Sequence, residues 1–205
     1  MIVIVDYQAG NIGSIKNMIK KIGHEAVISN DGELIAKASK LILPGVGSFD
    51  YGMSKLRELN LVEILKQKVI NERTPILGIC LGAQLLCESS EEGVLPGLGW
   101  VKGKVKKFSL QNVGRKLTVP HMGWNVVHVC KESKLFSEVS MPARFYFVHS
   151  YYILCDDIDD VLTDNMYGTK YHSAFEKENI LGVQYHPEKS HKFGKQLLKN
   201  FIEKY

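Results

Sequence analysis

The sequence predicts an α/β fold with a mixed, mostly parallel central sheet flanked by helices and additional antiparallel strands in the C-terminal half. Over the first 90 residues, short apolar runs alternate with stretches of helical periodicity, an order typical of a parallel sheet covered by helices. After residue 95, strand-like runs follow one another with polar turns between them. No repeat, low-complexity tract or linker interrupts the chain, so residues 1–205 are expected to form a single domain.

Hydrophobic periodicity divides the N-terminal half into elements. Residues 2–6 are an apolar strand, and GNIGSIKNMIKKIG repeats apolar residues at helical spacing until Gly23 ends the helix. EAVIS is a short strand, DGELIAKA a short helix, and KLILPGVGSF a buried strand that runs into a glycine-rich turn. Helical stretches are predicted across 49–72, a strand for PILGI, and another helix for LGAQLLCESS.

Strand-like segments dominate the C-terminal half. In VKGKVKKF, residues 101–108, lysines alternate with valine and glycine, which predicts a strand with one solvated lysine face. Strands are also predicted within RKLTVPHMGWNVVHV, RFYFVHSYYILC and YHSAFEKENILGVQYH. The last segment, EKSHKFGKQLLKNFIEKY, predicts an amphipathic helix with an apolar face formed by Phe193, Leu197, Leu198 and Phe201.

Composition and charge exclude several classes of protein. The 205 residues are 45% hydrophobic, which is ordinary for a globular chain with a core. Because no run of 18 apolar residues occurs and the N-terminus resembles a strand more than a signal peptide, we expect no membrane association and a cytoplasmic location. The net charge of +4 is mild, and no aromatic or arginine fork accompanies the lysines of 101–108, so we expect no nucleic-acid partner.

No motif indicates a cofactor or a metal. PGVGSFDYG is rich in glycine but lacks the dinucleotide-binding pattern and the lysine of a phosphate-binding loop. The four cysteines show neither a CxxC pair nor zinc-ligand spacing, and disulfides are not expected in a cytosolic chain. Cys87, Cys130 and Cys155 are therefore interpreted as small buried hydrophobic residues.

Cys80 has unusual surroundings, because it lies between two glycines where a strand pattern changes to a helix pattern. A nucleophile on a sharp strand-to-helix turn is held clear of the backbone, and small neighbours permit the tight turn. The start of the following helix favours a thiolate, and the N–H group of Leu81 can face an oxyanion beside Cys80. The alternative is a core cysteine whose glycines serve packing; the functional interpretation is favoured over it.

A thiol nucleophile needs a base, and His186 is the best candidate. It ends the buried stretch ILGVQYH and precedes Pro187, which is expected at the first position of the last helix. Carboxyl ends of strands are where open α/β sheets place their sites. Glu188 is close enough in sequence to orient the imidazole, although an acid at a helix start also complements the helix dipole. Of the other histidines, His24 and His172 are interpreted as structural or solvated, and the roles of His121, His128 and His191 stay open.

These stretches together resemble the class I (triad) glutamine amidotransferases. The resemblance lies in GICLGAQ and HPE, and in DYQAGNIGSIKN, LILPGVGSF, VPHMGWN, FYFVHSYY and GVQYHPEKS, which extend from residue 6 to residue 190. Within that family, the chain is most similar to the glutaminase subunits of imidazole glycerol phosphate synthase. The resemblance implies a class I glutamine amidotransferase-like (flavodoxin-like) fold without a cofactor, and hydrolysis of L-glutamine to glutamate and ammonia.

The resemblance also implies roles for individual residues. Cys80 would attack the amide carbon and carry a glutamyl thioester, His186 would move the proton, and Glu188 would orient His186. Two groups of residues complete the implied site. The oxyanion hole would be formed by Val46, Gly47 and Leu81, although the glycine-rich loop alone looks like a plain turn. Substrate binding would involve Gln84, His149, Ser150 and Tyr151.

A partner is implied as well, because ammonia must reach a synthase before it is protonated. In this family the partner is a (β/α)8-barrel cyclase subunit, with which the chain would form a heterodimer in histidine biosynthesis. The implied contact residues are Asn11, Pro120, Met122, Trp124, Tyr146 and Lys189. Exposed tryptophans often anchor interfaces, but a half-buried core position is an equally good interpretation of Trp124 without the resemblance.

Three alternatives remain open at this stage. HSAF and SHKFGKQLLKNF lean toward a second-copy branch of the family that supplies ammonia for amidation of a surface-polysaccharide sugar. A thiol peptidase or hydrolase on a similar sheet would need an extended cleft instead of a small pocket. A non-catalytic binding subunit would not require an intact set of Cys80, His186 and Glu188.

Overall fold

The computed structural model describes residues 1–109 and 117–205. In chain order the strands are β1 (Ile2–Val5), β2 (Ala26–Ser29), β3 (Lys40–Gly45), β4 (Ile76–Cys80), β5 (Ser89–Ser90), β6 (Gly103–Lys107), β7 (His121–Val126), β8 (His128–Val129), β9 (Arg144–His149), β10 (Tyr151–Cys155), β11 (Val161–Tyr167), β12 (Thr169–Lys177) and β13 (Ile180–Val183). The helices are α1 (Ile12–Ile22), α2 (Gly32–Ala36), α3 (Phe49–Glu58), α4 (Leu61–Lys66), α5 (Leu81–Leu85) and α6 (His191–Lys204).

The main sheet confirms the predicted mixed α/β fold. Its strands run in the order β2-β1-β3-β4-β13-β12-β10-β6-β5, with β11 and β8 attached to β12. The five strands from β2 to β13 pair in parallel, whereas β13, β12, β10 and β6 pair antiparallel. β7 and β9 form a separate antiparallel ribbon.

Alternating side chains along the parallel strands supply two hydrophobic cores. On β1, Ile2 and Ile4 pack with α1 and α6 on one face, and Val3 and Val5 pack with α3, α4 and α5 on the other. Every residue of β4 and β13 is buried, as expected for parallel strands with both faces covered. The described part of the chain therefore places its central strands between two layers of helices.

The carboxyl edge of the parallel strands brings three sequence-distant segments together. In register, Gly45 at the end of β3 lies beside Cys80 at the end of β4. Val183 at the end of β13 lies beside Ile79 on the other side of β4. Because parallel strands share one carboxyl edge, the loops after residues 45, 80 and 183 meet there.

The helix predicted for LGAQLLCESS is shorter than expected. α5 ends at Leu85, and β5 begins at Ser89. The carbonyl groups of Leu85 and Leu86 accept hydrogen bonds from the N–H groups of Leu98 (2.8 Å) and Trp100 (3.0 Å). Because a later loop uses these carbonyls, the chain bends into β5 instead of continuing the helix.

The end of the last parallel strand also differs from the prediction. β13 ends at Val183, three residues before His186, and the N–H group of His186 donates to the carbonyl of Tyr146 on β9 at 2.9 Å. Pro187 begins a separate 3₁₀ turn that ends at Lys189, and α6 starts only at His191. The apolar face predicted for α6 is confirmed for Leu197, Leu198 and Phe201, whereas Phe193 is only partly buried.

Several smaller expectations can be compared directly. β6 exposes Lys104 and buries Val105, which confirms the solvated lysine face, and Lys106 pairs with Glu91 at 2.8 Å.

Cys130 is exposed instead of buried, because it follows the two-residue edge strand β8, and it donates to Asp164 at 3.4 Å. The beginning of the predicted strand segment RKLTVPHMGWNVVHV falls outside the described residues. None of the helices in the described ranges has the length and apolarity that crossing a membrane requires.

Candidate active site

Cys80 occupies a sharp corner between β4 and α5. Its backbone has φ 54° and ψ −112°, a conformation that L-residues rarely adopt. A Cβ atom on Gly82 would collide with the carbonyl oxygen of Leu43, and one on Gly78 would lie 2.7 Å from the Cα atom of Ala83. The two glycines therefore allow β3 and α5 to approach the corner, which holds Cys80 at the carboxyl edge of the sheet.

His186 lies between the carboxylate of Glu188 and the sulfur of Cys80. Its Nδ1 is 2.8 Å from Oε1 of Glu188, and the two side chains are only 3% and 4% exposed. Nε2 is buried and has no hydrogen-bond partner among the described residues. Burial alone would lower the pKa of His186, but the nearby Cys80 sulfur and then the Glu188 carboxylate outweigh it and raise the pKa to about 10.

The loop that carries His186 is attached to β9 from both sides. The Ser190 hydroxyl donates to the His186 carbonyl at 2.6 Å and accepts from the N–H group of Tyr146 at 3.0 Å. These bonds are independent of the strand pairing of β13. They explain how His186 keeps its position although it lies beyond the end of the strand.

A cavity of about 400 Å³ opens beside Cys80. Its volume lies within the range of roughly 300–1,000 Å³ that is typical of small-molecule sites. The residues implied as oxyanion or substrate contacts all line it, together with Pro120, Val148 and Glu92: these are Val46, Gly47, Leu81, Gln84, His149, Ser150 and Tyr151. A smaller crevice is lined by His186, Glu188, Asn11 and Lys189.

The residues implied as oxyanion donors line this cavity from two segments of the chain. Leu81 is the first residue of α5, so its N–H group has no acceptor within the helix. Val46 and Gly47 follow β3, and Gly47 has φ 112°, which a residue with a side chain would adopt only with strain. α5 has only five residues, so its helix dipole stabilises negative charge at its N-terminus less than the longer helix predicted from the sequence would.

Gln84 belongs to a buried hydrogen-bond network behind the cavity wall. Its Nε2 donates to the carbonyl of Tyr151 at 3.1 Å and to Oε1 of Gln184 at 3.0 Å. The Gln184 Nε2 in turn lies 3.8 Å from the sulfur of Cys80. The side chain expected to bind substrate is thus connected to Cys80 within the protein.

His149 lines the cavity, but both of its ring nitrogens have partners inside the protein. Nδ1 donates to the carbonyl of Tyr151 at 2.7 Å, so neutral Nε2 must accept from Nδ1 of His121 at 3.1 Å. Burial lowers the pKa of His149 to about 3, although the bond to Tyr151 opposes the shift, and burial lowers the pKa of His121 to about 4. Both rings are therefore neutral at physiological pH, and His149 shapes the cavity without offering a free ring nitrogen.

Three of the six implied partner-contact residues, Met122, Trp124 and Tyr146, lie on the β7–β9 ribbon. Met122 and Trp124 point outward from β7 and are 61% and 43% exposed, so Trp124 is not a core residue. Trp124 stacks on His191 with ring centroids 5.4 Å apart and touches the edge of Tyr146. The Lys189 ammonium lies over the ring of Tyr146 at 5.8 Å. The ribbon therefore presents a continuous aromatic and cationic face.

Sequence reasoning missed three residues of this region. Glu92 lines the cavity and accepts from the N–H group of Phe49, but its segment looks like an ordinary acidic turn. Gln184 lies in GVQYHPEKS, one of the stretches that carry the family resemblance, but the resemblance implies no role for it. Tyr7 is buried with no hydroxyl partner among the described residues, and burial followed by the charge of Cys80 raises its pKa. Among the described residues, no group of His, Cys, Asp and Glu side chains is arranged to hold a metal ion.

Comparisons with known proteins agree with this geometry. The family model described as "Glutamine amidotransferase class-I" matches residues 3–205. The chain is 57% identical over 203 residues to imidazole glycerol phosphate synthase subunit HisH 2 of Methanococcus maripaludis, with 99% of each chain covered. It is 50% identical over 203 residues to the protein of the same name from Pseudomonas aeruginosa, again with 99% of each covered.

Solved structures show the same fold at low sequence identity. A Thermoplasma acidophilum protein described as one of the subunits of GMP synthase superposes with a TM-score of 0.69 and 21% identity, over 98% of this chain and 91% of that one. A structure described as glutamine amidotransferase gives the same TM-score and identity, over 98% and 97% of the two chains. At this level of identity the likeness concerns the fold alone.

Proposed function

Because the chain belongs to the class-I glutamine amidotransferase family, we propose that it hydrolyses L-glutamine to glutamate and ammonia at Cys80. The proposal depends mainly on one observation: His186 contacts Glu188 and is close to Cys80, and Cys80 lines a cavity large enough for glutamine. The compact cavity lined by Gln84 and Tyr151 favours a small substrate over the extended chain that a peptidase would bind.

In the first step His186 takes the thiol proton through Nε2, and the sulfur attacks the side-chain amide carbon of glutamine. The oxyanion that forms lies near the N–H groups of Leu81 and of the loop at Val46 and Gly47. When the C–N bond breaks, His186 returns the proton to the leaving ammonia. Water, activated by the same imidazole, then hydrolyses the thioester and restores the thiol.

The cavity wall supplies groups that match the rest of the substrate. Glu92 carries a carboxylate that suits the α-ammonium group of glutamine. Ser150 and the backbone around Tyr151 offer polar atoms for orientation, and the network behind Gln84 holds that wall in place. Residues 1–205 would act as one domain in this reaction, in the cytoplasm.

The names of similar proteins support a proposal for the ammonia acceptor. Both relatives described above are named as imidazole glycerol phosphate synthase subunits, so we propose that the partner in a heterodimer is a (β/α)8-barrel cyclase subunit. Ammonia would pass to the partner, which would form imidazole glycerol phosphate and AICAR in histidine biosynthesis. The names of these relatives favour this acceptor over a surface-sugar synthase.

Glutaminase assays of the wild type and two variants test the proposal. C80A should abolish turnover and labelling by a glutamine-analogue electrophile, and E188Q should lower kcat by about 100-fold or more because the imidazolium loses its orienting charge. E203Q is the matched control, since Glu203 pairs with His24 at 3.0 Å on the surface. Turnover that persists in C80A would overturn the role of Cys80 as the nucleophile. A wild type that the analogue does not label and that does not turn over glutamine would favour a non-catalytic binding subunit.

A further inference from the structure

We propose that Gln184 is a further catalytic residue, whose side-chain NH2 group donates a hydrogen bond to the sulfur of Cys80 and stabilises its thiolate. The proposal rests on the proposed role of Cys80 as the nucleophile. Gln184 follows β13 directly, and its side chain is completely buried. Its backbone N–H group donates to the carbonyl of Ser173 at 2.8 Å. This bond fixes the backbone from which the side chain extends toward Cys80.

Hydrogen-bond logic determines which end of the Gln184 amide faces the sulfur. The carbonyl oxygen of Tyr151 can only accept, so the Gln84 amide atom 3.1 Å from it must be nitrogen. The same nitrogen lies 3.0 Å from the Gln184 amide, so the Gln184 atom there must be the oxygen. Only the NH2 group of Gln184 is left to face the Cys80 sulfur, at 3.8 Å.

This arrangement gives the sulfur a donor besides the imidazole. When His186 takes the thiol proton, the Gln184 amide keeps its own protons, and its bond to sulfur becomes a bond to an anion. Hydrogen bonds to ionised groups are stronger than bonds between neutral groups. The bond weakens again when sulfur forms the C–S bond and loses its charge, so its main effect is on the fraction of thiolate available for attack.

The same amide links the nucleophile to the substrate cavity. Gln84 uses one nitrogen for both the Tyr151 carbonyl and the Gln184 oxygen, so any movement of the cavity wall changes the position of the Gln184 NH2 group. Gln184 thereby has two separable functions, as an acceptor for Gln84 and as a donor to Cys80. Two substitutions can distinguish them.

The test measures the rate of Cys80 alkylation by iodoacetamide as a function of pH, in full-length protein. C130S/C155S provides the background for all variants, because Cys130 is exposed and Cys155 is no more buried than Cys80 (9% against 7% exposed), whereas Cys87 is completely buried. Q184E keeps an acceptor for Gln84 but removes the donor to sulfur, and Q184L removes both. N200L is the matched control: Asn200 is an equally buried amide on α6, with two carbonyl acceptors, those of Leu135 and Ser137.

The midpoint of the alkylation profile should move up by about one pH unit in Q184L and further in Q184E, with about tenfold slower labelling below the midpoint. N200L should lower the melting temperature without moving the midpoint. An unchanged midpoint in folded Q184L or Q184E would overturn the proposal, since a purely structural role predicts that result. If either variant does not fold, Q184N, whose amide is one methylene too short to reach both partners, replaces it.

The same measurement separates this proposal from the proposed function. Iodoacetamide needs no glutamine site, so the profile can be recorded even when glutamine is not hydrolysed. A shifted midpoint in Q184L with an inactive wild type would reject the glutaminase and retain the Gln184–Cys80 bond. Lower glutaminase activity in Q184L with an unshifted profile would reject the bond and retain the glutaminase.

Discussion

At the scale of single residues, the site depends on a strained backbone that glycines make possible. Cys80 has a positive φ, which costs on the order of 1–3 kcal/mol for a residue with a side chain. The surrounding packing must hold this conformation, and Gly82 allows the Leu43 carbonyl to approach closely enough to do so. The nucleophile's exposure to the cavity and the stability of the corner are therefore coupled.

Gly82→Ala tests this coupling. The added methyl group would meet the Leu43 carbonyl oxygen, so we expect the free energy of unfolding to fall by about 3 kcal/mol or more, measured by urea denaturation. Gly13→Ala is the control, because a Cβ there has nothing within 4 Å and lies in α1. That change should be neutral or slightly stabilising; a Gly82→Ala variant as stable as Gly13→Ala would contradict the packing argument.

The pattern GICLG was sufficient to predict the corner at Cys80, since the glycines that make it possible are its sequence neighbours. It was not sufficient to find the role of Gln184. That residue reaches Cys80 across 104 positions, and its amide orientation depends on Gln84 and Tyr151. Nothing local to Gln184 distinguishes it from an ordinary buried amide.

At the scale of elements, the β7–β9 ribbon connects the outer face of the molecule with the cavity. His121 on β7 lies opposite His149 on β9 and donates to it, and His149 donates to the carbonyl that Gln84 also uses. Since both imidazoles are neutral at physiological pH, each has one N–H group, and the hydrogen bonds run only from His121 to His149 and from His149 to the carbonyl of Tyr151. The ribbon therefore positions the cavity wall by hydrogen bonds that require neutral histidines.

Acid should weaken the fold through these two histidines. Below pH 6.5 the unfolded chain binds a proton on each imidazole, while the folded protein resists protonation until about pH 4 at His121 and about pH 3 at His149. Their contribution to stability is complete above pH 6.5 and is lost as the pH falls toward 4 for His121 and toward 3 for His149. H121F should remove about 1.4 kcal/mol per pH unit from the slope of unfolding free energy between pH 6 and 4.5.

Urea denaturation at a series of pH values checks this slope. H128Q serves as the control, because His128 is an exposed residue on β8. It should leave the slope of the wild type unchanged. Equal slopes in H121F and the wild type would show that the buried pair does not control the acid sensitivity.

At the scale of the whole molecule, the exposed face of the β7–β9 ribbon is next to the crevice that holds His186 and Lys189. Met122 and Trp124 are large apolar side chains held outward by the alternation of β7. Arg144 and His191 pack against the Trp124 ring and keep it in place. Such a rigid, exposed aromatic side chain is typical of an energetic centre in an interface.

Trp124→Ala should therefore weaken binding of the proposed cyclase partner about tenfold or more without changing the stability of the isolated chain. Isothermal titration with the barrel subunit measures the affinity, and thermal unfolding checks the fold. Ile158→Ala is the control, since Ile158 is 71% exposed in the turn before β11. An equal loss of affinity in both variants would place the contact elsewhere.

The sequence by itself determined the alternation of strands and helices that forms a mostly parallel sheet, the glycine-flanked corner at Cys80 and the pairing of His186 with a nearby carboxylate. These features depend on side chains and glycines that are neighbours along the chain, so local patterns predict them. Only the tertiary structure decided that α5 stops at Leu85, that both nitrogens of His149 are occupied, and which end of Gln184 faces the sulfur. Each of these depends on hydrogen bonds from distant segments, because a buried polar group must find its partner wherever the fold brings one.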